Sequence, residues 1–124
     1  MKKILVIDDD PFFATHIGEA LPADAYTVLS AENGEEGLKK AEEALPDLIL
    51  LDIMMPKMNG MEFLKQFNLK YGKGKVPVLI TSNMSTMKKI SEGLELGIRG
   101  YIIKSGETFE TIVDSIKAVF AKKA

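Results

Sequence analysis

Oxygen- and nitrogen-bearing side chains stand at the ends of four apolar runs in this chain. Asp8-Asp9-Asp10 ends the first run, and Asp52, Thr81-Ser82 and Lys104 end three later ones. Clustered carboxylates suit a hard divalent cation, because Mg²⁺ prefers oxygen ligands. A hydroxyl or an ammonium can pair with the oxygens of a phosphoryl group. These residue types therefore indicate a site for Mg²⁺ and a phosphoryl group, with Asp52 as the group that would accept it.

The apolar runs are continuous rather than alternating, which is typical of strands buried on both faces of a parallel sheet. Stretches with apolar residues at helical spacing lie between them, so the pattern predicts a (βα)5 doubly wound sheet. In such sheets, ligands bind beyond the carboxyl ends of the strands, where all four motifs fall. The five predicted strands are Ile4–Ile7, Tyr26–Leu29, Leu48–Leu51, Val76–Ile80 and Tyr101–Ile103.

Each of the four aspartates has a structural explanation that competes with a role in the site. Asp10 precedes Pro11, and this pair is typical of a helix N-cap and its first residue. Asp8 and Asp9 are the candidate metal ligands, with a solvated acidic loop as the alternative. Asp52 follows a strongly apolar run, where a lone charge is unfavourable unless it is coordinated or exposed. A carboxylate in such a place can attack phosphorus and form an acyl phosphate, although an exposed loop aspartate is the simpler interpretation of Asp52 alone.

Two predicted helices have features that bear on motion and packing. The first helix has its stripe at Phe13, Ile17, Ala20 and Leu21. The fourth, from about Met87 to Leu96, has a thinner stripe at Met87, Ile90, Ser91 and Leu94. Gly93 lies inside it, and a helical glycine costs about 1 kcal/mol relative to alanine. We therefore expect the fourth helix to be weakly held and able to move.

Composition sets the class of protein. The 124 residues suit one domain, residues 1–124, and the net charge of -2 gives no overall attraction to nucleic acid or to anionic membranes. There is no cysteine, which excludes disulfides and thiolate metal sites and fits a reducing compartment. The apolar stretch before Asp8 is too short for a signal peptide or a membrane span. We expect a cytoplasmic protein.

Several segments in order resemble the receiver domain of two-component response regulators. The resemblance covers the whole chain and implies the flavodoxin-like strand order 2-1-3-4-5. It also implies a phosphoryl-accepting signalling switch rather than an enzyme in its own right. The segments that carry it are Val6–Pro11, Leu50–Pro56, Asn59-Gly60, Pro77–Ser82 and Gly97–Lys104.

The resemblance implies a role for each site residue. Asp52 becomes the phosphoacceptor, and Lys104 becomes the lysine that contacts the phosphoryl group. Ser82, rather than Thr81, takes the place of the family's hydroxyl, and Tyr101 takes the place of its aromatic switch. The implied ligands of Mg²⁺ (or Mn²⁺) are Asp8, Asp9, Asp52 and the backbone carbonyl of Met54.

The resemblance also implies partners. The phosphoryl donor would be a histidine kinase or a histidine phosphotransfer protein that docks near the first helix. There, Phe12 is either a partly exposed contact or, as we expect, part of the core edge. We expect His16, the only histidine, to pack rather than to relay phosphate. The fourth helix, fifth strand and fifth helix would present a changed surface to a downstream protein target. No output domain fits in this length, so the chain would be a stand-alone receiver or part of a longer protein.

Two of the departures from the family pattern leave other interpretations of the function open. Ser105 stands where a proline is usual, and Asn83 stands where a small residue is usual, so a degenerate receiver that acts by protein contacts alone is one alternative. A phosphatase of the haloacid dehalogenase type, phosphorylated on Asp8, is another, but no second acidic pair occurs near a strand end late in the chain. An FMN binder would need a hydroxyl- and glycine-rich loop after the first strand, which this sequence lacks.

Overall fold

Five parallel strands form a single sheet in the order β2-β1-β3-β4-β5. This computed structural model describes residues 1–53, 58–82, 87–106 and 108–121, and at 87–90 it describes the backbone alone. The predicted (βα)5 fold and flavodoxin-like strand order are confirmed. The strands are β1 (Lys2–Ile7), β2 (Tyr26–Ala31), β3 (Leu48–Leu51), β4 (Val78–Ser82) and β5 (Gly100–Ile103).

Helices connect the strands and follow the last one, and polar residues cap the first, second, third and fifth of them. Asp10 caps the first helix by accepting a hydrogen bond from the Phe12 amide at 3.0 Å, as the sequence predicts. Asn33 and Asn59 cap the second and third helices in the same way. None of the described helices is both long and apolar enough to cross a membrane. The helices are α1 (Pro11–Ala20), α2 (Gly34–Ala44), α3 (Gly60–Tyr71), α4 (Met87–Glu95) and α5 (Phe109–Ala121).

Each face of the sheet is covered by a hydrophobic cluster. Helices α1 and α5 pack on one face, where Ile17 and Ile116 are fully buried. Helices α2 and α3 pack on the other face, where Phe63 is fully buried. All four residues of β3 are buried, because this central strand has helices on both sides. The continuous apolar runs in the sequence follow from this three-layer arrangement.

Strand β4 begins and ends two residues later than the sequence predicts. Pro77 lies before it and has no amide hydrogen for a strand ladder, although its carbonyl accepts a hydrogen bond from the Ile49 amide at 3.0 Å. At the other end, the strand continues to Ser82, which pairs with Ile103 of β5. Thr81 and Ser82 therefore lie inside the sheet, and both are buried.

The apolar stripe predicted for α4 is wrong where the structure describes it. Ser91 is exposed and Leu94 is 60% exposed, whereas Gly93 is buried. A Cβ atom on Gly93 would lie 2.6 Å from Ile98 Cδ1 and 3.1 Å from Ile80 Cδ1. Glycine at this position lets the helix lie close to the sheet, so Gly93 is required by packing and is not only a weak helix former. The other predicted stripe residues, Met87 and Ile90, lie outside the described side chains.

The buried face of α1 agrees with the prediction at three of its four positions. Phe13, Ile17 and Leu21 are buried, and Ala20 is exposed. The expectation that Phe12 fills the core edge is wrong, because its side chain is 69% exposed. Adjacent residues of a helix point about 100° apart, and Phe13 takes the inward direction.

Candidate functional site

Three carboxylates meet at the carboxyl edge of the sheet. Asp8 follows β1 and Asp52 follows β3, and these strands pair up to Ile7 and Leu51. Carboxylate oxygens of Asp8, Asp9 and Asp52 all lie within 4.8 Å of one another. Asp8 and Asp52 are buried, at 4% and 7% exposed, and Asp9 is exposed to solvent. An all-oxygen set with one open side matches the ligands that Mg²⁺ and Mn²⁺ accept, so these residues fit the implied metal.

Lys104 lies across this cluster from the end of β5. Its ammonium forms an ion pair with Asp8 Oδ2 and lies 3.8 Å from Asp52 Oδ2. It also lies over the ring of Phe13, 4.3 Å from the ring centre. Two carboxylates that follow β1 and β3 and one ring of α1 therefore surround one cation, and the Lys104 side chain is 18% exposed.

Burial makes the charge on Asp8 unfavourable. Loss of solvent raises the pKa of the Asp8 carboxyl above its ordinary value. The hydrogen bond from Lys104 and a 2.9 Å hydrogen bond from the Asp10 amide act to lower this pKa, and the charge of Asp9 acts to raise it. The net direction is upward, so the lysine does not fully offset the loss of water around Asp8.

Ser82 and Tyr101 form a second group beside the carboxylates. The side chains of these two residues share a hydrogen bond, and Ser82 is 1% exposed. Burial raises the pKa of the Tyr101 phenol, the hydrogen bond with Ser82 lowers it, and the charge of Asp52 raises it. Tyr101 is thus linked to Asp52 by charge and to Ser82 by contact, although it is only partly buried.

Thr81 lies on the opposite face of β4 from Ser82, because successive strand residues alternate. Its neighbour Leu79 belongs to the cluster between the sheet and helices α1 and α5. The Thr81 hydroxyl is buried, with no hydrogen-bond partner among the residues that the structure describes. Of the two hydroxyls, it is therefore Ser82 that meets Tyr101.

Two glycines allow close backbone approaches beside the site. A Cβ atom on Gly60 would lie 2.5 Å from the carbonyl oxygen of Asp52, and one on Gly34 would lie 2.6 Å from the carbonyl oxygen of Met58. The Gly34 amide donates a hydrogen bond to the same Met58 oxygen at 3.1 Å. The backbone here approaches too closely for any larger residue, which accounts for the glycine of the Asn59-Gly60 motif.

The remaining predicted positions have different outcomes. Ser105 is exposed and lies in a 3-10 turn, Lys104–Gly106, that directly continues β5. Met54, the predicted carbonyl ligand, and Asn83, the predicted departure beside Ser82, lie outside the described residues.

The sequence interpretation missed Phe13 as a site residue. Its ring contacts Lys104, and its centre lies 5.7 Å from that of Phe109. Phe109 in turn meets His16 edge-on at 4.9 Å. His16 therefore packs against a ring, as expected, although it is exposed. The available signal was an aromatic residue in the first turn of the helix that follows the acidic cluster.

Comparison with known proteins gives consistent relatives. Residues 4–117 match the response regulator receiver domain family. The chain is 32% identical to the protein PilH of Pseudomonas aeruginosa over 121 residues, covering 98% of this chain and 99% of PilH. It is 44% identical over 104 residues to PhoP of Bacillus subtilis, an alkaline phosphatase synthesis transcriptional regulatory protein, but spans only 42% of PhoP. The solved structure of the Vibrio cholerae chemotaxis protein CheY4 has a TM-score of 0.86 at 30% identity, covering 96% of this chain and 98% of CheY4.

Proposed function

Because the chain belongs to the response regulator receiver domain family, we propose that Asp52 accepts a phosphoryl group in a reaction that depends on Mg²⁺ or Mn²⁺. The phosphorylated protein then signals through a changed surface. The phosphoryl donor is a histidine kinase or a histidine phosphotransfer protein, and the signal passes on to a downstream protein or an output domain. The net charge of -2 does not favour binding to nucleic acid or to an anionic membrane.

One observation carries this proposal. Asp52 lies beside a cluster of oxygen ligands and an ammonium, with Asp8 and Asp9 inside 4.8 Å and Lys104 at 3.8 Å, whereas Asp8 is already paired with that lysine. A phosphoryl group on Asp52 would bring several negative oxygens to this place, and the nearby cations would stabilise them. Charge stabilisation and positioning are the main contributions that proteins make to phosphoryl transfer.

The reaction requires little else from the protein. A carboxylate oxygen of Asp52 attacks phosphorus, the bond from phosphorus to its leaving group breaks, and the leaving group keeps the electron pair. A bound Mg²⁺ supplies positive charge to the phosphoryl oxygens, and Asp8, Asp9 and Asp52 are the side chains that would hold it. Lys104 pairs with a phosphoryl oxygen as a point charge. The buried sides of the site keep Asp52 in place for attack.

The signal passes through Ser82 and Tyr101. In the unphosphorylated protein, the Ser82 hydroxyl shares a hydrogen bond with Tyr101. A phosphoryl group on Asp52 offers this hydroxyl new acceptors. When Ser82 changes partner, the hydrogen bond that orients Tyr101 changes as well. Tyr101 lies on β5, beside α4, so its position biases the surface formed by α4, β5 and α5.

Acetyl phosphate tests the proposal without a kinase. The protein is incubated with acetyl phosphate and Mg²⁺, and its intact mass is measured beside that of an Asp52→Asn variant. We expect one phosphoryl group on the wild type and none on the variant. Omission of Mg²⁺ should prevent the gain in mass, because the clustered carboxylates would then repel the incoming phosphate.

The alternatives give different masses. A degenerate receiver that acts by protein contacts alone would leave both proteins unmodified. A phosphatase of the haloacid dehalogenase type would be phosphorylated on Asp8, so Asp52→Asn would still gain a phosphoryl group and Asp8→Asn would not. Either pattern would contradict the role assigned to Asp52.

A further inference from the structure

We propose that Phe13 is a positioning residue for Lys104, with its ring holding the ammonium beside Asp52 by a cation–π contact. This proposal rests on the proposed function and adds a residue to that site. Phe13 belongs to α1, whereas Lys104 follows β5, so the contact joins two ends of the chain. The Lys104 ammonium lies 4.3 Å from the centre of the Phe13 ring.

The distance places the cation in the range where the negative face of an aromatic ring attracts it. Such contacts are significant within about 6 Å of the ring centre, and they strengthen when water is excluded. Phe13 is 5% exposed and the Lys104 side chain is 18% exposed. The contact is therefore largely shielded from solvent, unlike the cation–π contact of Lys70 with Tyr71, where the lysine is half exposed.

The Phe13 ring is itself held in position. Phe109 at the start of α5 lies 5.7 Å away, centre to centre, at an interplanar angle of 41°. The cluster around Phe13 includes buried Ile112 and Val113 of the same helix. A ring fixed by packing restricts the cation above it, because moving the cation would mean losing the contact. Phe13 thus acts on Asp52 through Lys104 and does not touch the reacting atoms.

Asp8 alone cannot keep Lys104 in place. This carboxylate forms the shorter of two ion pairs of Lys104, the other being with Asp52, and both carboxylates are proposed ligands of the divalent cation. Two cations that share one carboxylate repel each other, so Lys104 needs a support that does not depend on Asp8. The Phe13 ring is such a support, because it is uncharged and does not bind the metal, and because it contacts the ammonium from α1.

A purely structural role for Phe13 is the competing explanation, since a buried phenylalanine also stabilises the core. Phe67 is the matched control, because it is also buried and packs against two rings, Phe63 and Tyr71. It lies in the cluster on the other face of the sheet. Loss of packing alone should affect Phe13→Leu and Phe67→Leu alike.

Proton NMR of the unphosphorylated protein tests the contact directly. Protons held over an aromatic face are shifted upfield, so the ε-methylene protons of Lys104 should resonate upfield of those of the other lysines. Phe13→Leu should return them to the ordinary position, and Phe67→Leu should not. Lys104 protons at an ordinary position in the wild type, or unaffected by Phe13→Leu, would overturn the proposal.

The rate of phosphorylation by acetyl phosphate at saturating Mg²⁺ tests the consequence. We expect Phe13→Leu to react about 3- to 10-fold more slowly, and Phe13→Tyr, which keeps the ring, to react within about 2-fold of the wild type. Replacing Phe13 with pentafluorophenylalanine keeps the shape but reverses the charge of the ring face, and should slow the reaction as Phe13→Leu does.

Equal slowing by Phe13→Leu and Phe67→Leu, or no slowing by the fluorinated ring, would overturn the proposal. If the wild type accepts no phosphoryl group, the proposed function fails, and the Lys104 proton shifts alone decide whether Phe13 holds this lysine.

Discussion

The ammonium of Lys104 is ion-paired with Asp8 and lies 3.8 Å from Asp52. The lysine therefore sits between a proposed metal ligand and the proposed phosphoacceptor. In this arrangement it partly neutralises a buried carboxylate that a divalent cation would otherwise neutralise. Binding of a metal and the position of Lys104 are consequently linked, and this linkage gives a first testable prediction.

Lys104→Met should tighten the binding of Mg²⁺. The substitution removes the ammonium that competes with Mg²⁺ for the carboxylates of Asp8 and Asp52. If the lost ion pair is worth about 1 kcal/mol, the affinity for Mg²⁺ should rise about fivefold. Isothermal titration calorimetry with MgCl₂ measures it. Lys70→Met is the control, because Lys70 forms an exposed ion pair with Glu42 and the substitution removes the same charge. Equal or weaker Mg²⁺ binding by Lys104→Met would contradict the linkage.

Asp8→Asn should stabilise the metal-free protein at neutral pH. Burial raises the pKa of Asp8, so the folded state binds this proton more tightly than the unfolded chain. Wild-type stability is then highest, with respect to this group, below the ordinary carboxyl pKa, and it falls as the pH rises through the raised pKa. Thermal unfolding should show a higher Tm for Asp8→Asn near pH 7 and a smaller difference as the pH falls toward 4.

Asp24→Asn controls for net charge in that comparison, because Asp24 is exposed. Its Tm near pH 7 should stay close to that of the wild type, because the substitution is at the surface. A lower Tm for Asp8→Asn at neutral pH would mean that the ion pair with Lys104 outweighs the burial of the carboxylate, contrary to the direction of the pKa.

Thr81→Val should stabilise the protein by about 1 kcal/mol, since a buried hydroxyl without a partner loses its hydration on folding. Valine has nearly the same shape, and Thr81 faces the apolar cluster that includes Leu79. Chemical denaturation with urea measures the difference, and Thr81→Ser serves as the comparison that keeps the hydroxyl but removes the methyl group. A loss of stability in Thr81→Val would show that the hydroxyl has a partner in solution.

Ser82→Ala should weaken the response of Tyr101 to phosphorylation of Asp52. In the wild type, phosphorylation of Asp52 should shift the ring resonances of Tyr101, because the Ser82 hydroxyl that it contacts gains a new acceptor. Without that hydroxyl, the shift should shrink even when Asp52 carries the same amount of phosphate. NMR of tyrosine-labelled protein, with phosphate measured by mass, gives both quantities. An unchanged Tyr101 shift in Ser82→Ala would remove Ser82 from the path of the signal.

The sheet could be predicted from the sequence because its signals are local. Continuous apolar runs such as Leu48–Leu51 occur where a strand is covered on both sides, and the polar residue after each run marks the carboxyl edge. The end of β4 was misplaced because Thr81 and Ser82 are polar, although both are buried inside the sheet. Ser82 is polar because it belongs to the site, and Thr81 is a buried hydroxyl on the opposite face, so neither polar residue marks exposure.

The packing of side chains between distant elements could not be predicted in this way. Gly93 reads as a weak point in a helix, but it allows a close approach to Ile80 and Ile98, which only the folded chain brings together. The contact of Phe13 with Lys104 joins residues far apart in the sequence. No periodic pattern records such a contact, because it depends on the angle at which α1 crosses the sheet.

Chemical trapping of the phosphorylated residue tests the central claim most directly. Borohydride reduces an acyl phosphate of aspartate to homoserine, and peptide mass mapping then locates the changed residue. After treatment with acetyl phosphate and Mg²⁺, we expect homoserine at position 52 and unchanged aspartate at positions 8 and 9. Homoserine at position 8, or a phosphoryl group that survives reduction on a hydroxyl such as that of Ser82, would contradict the assignment of Asp52 as the phosphoacceptor.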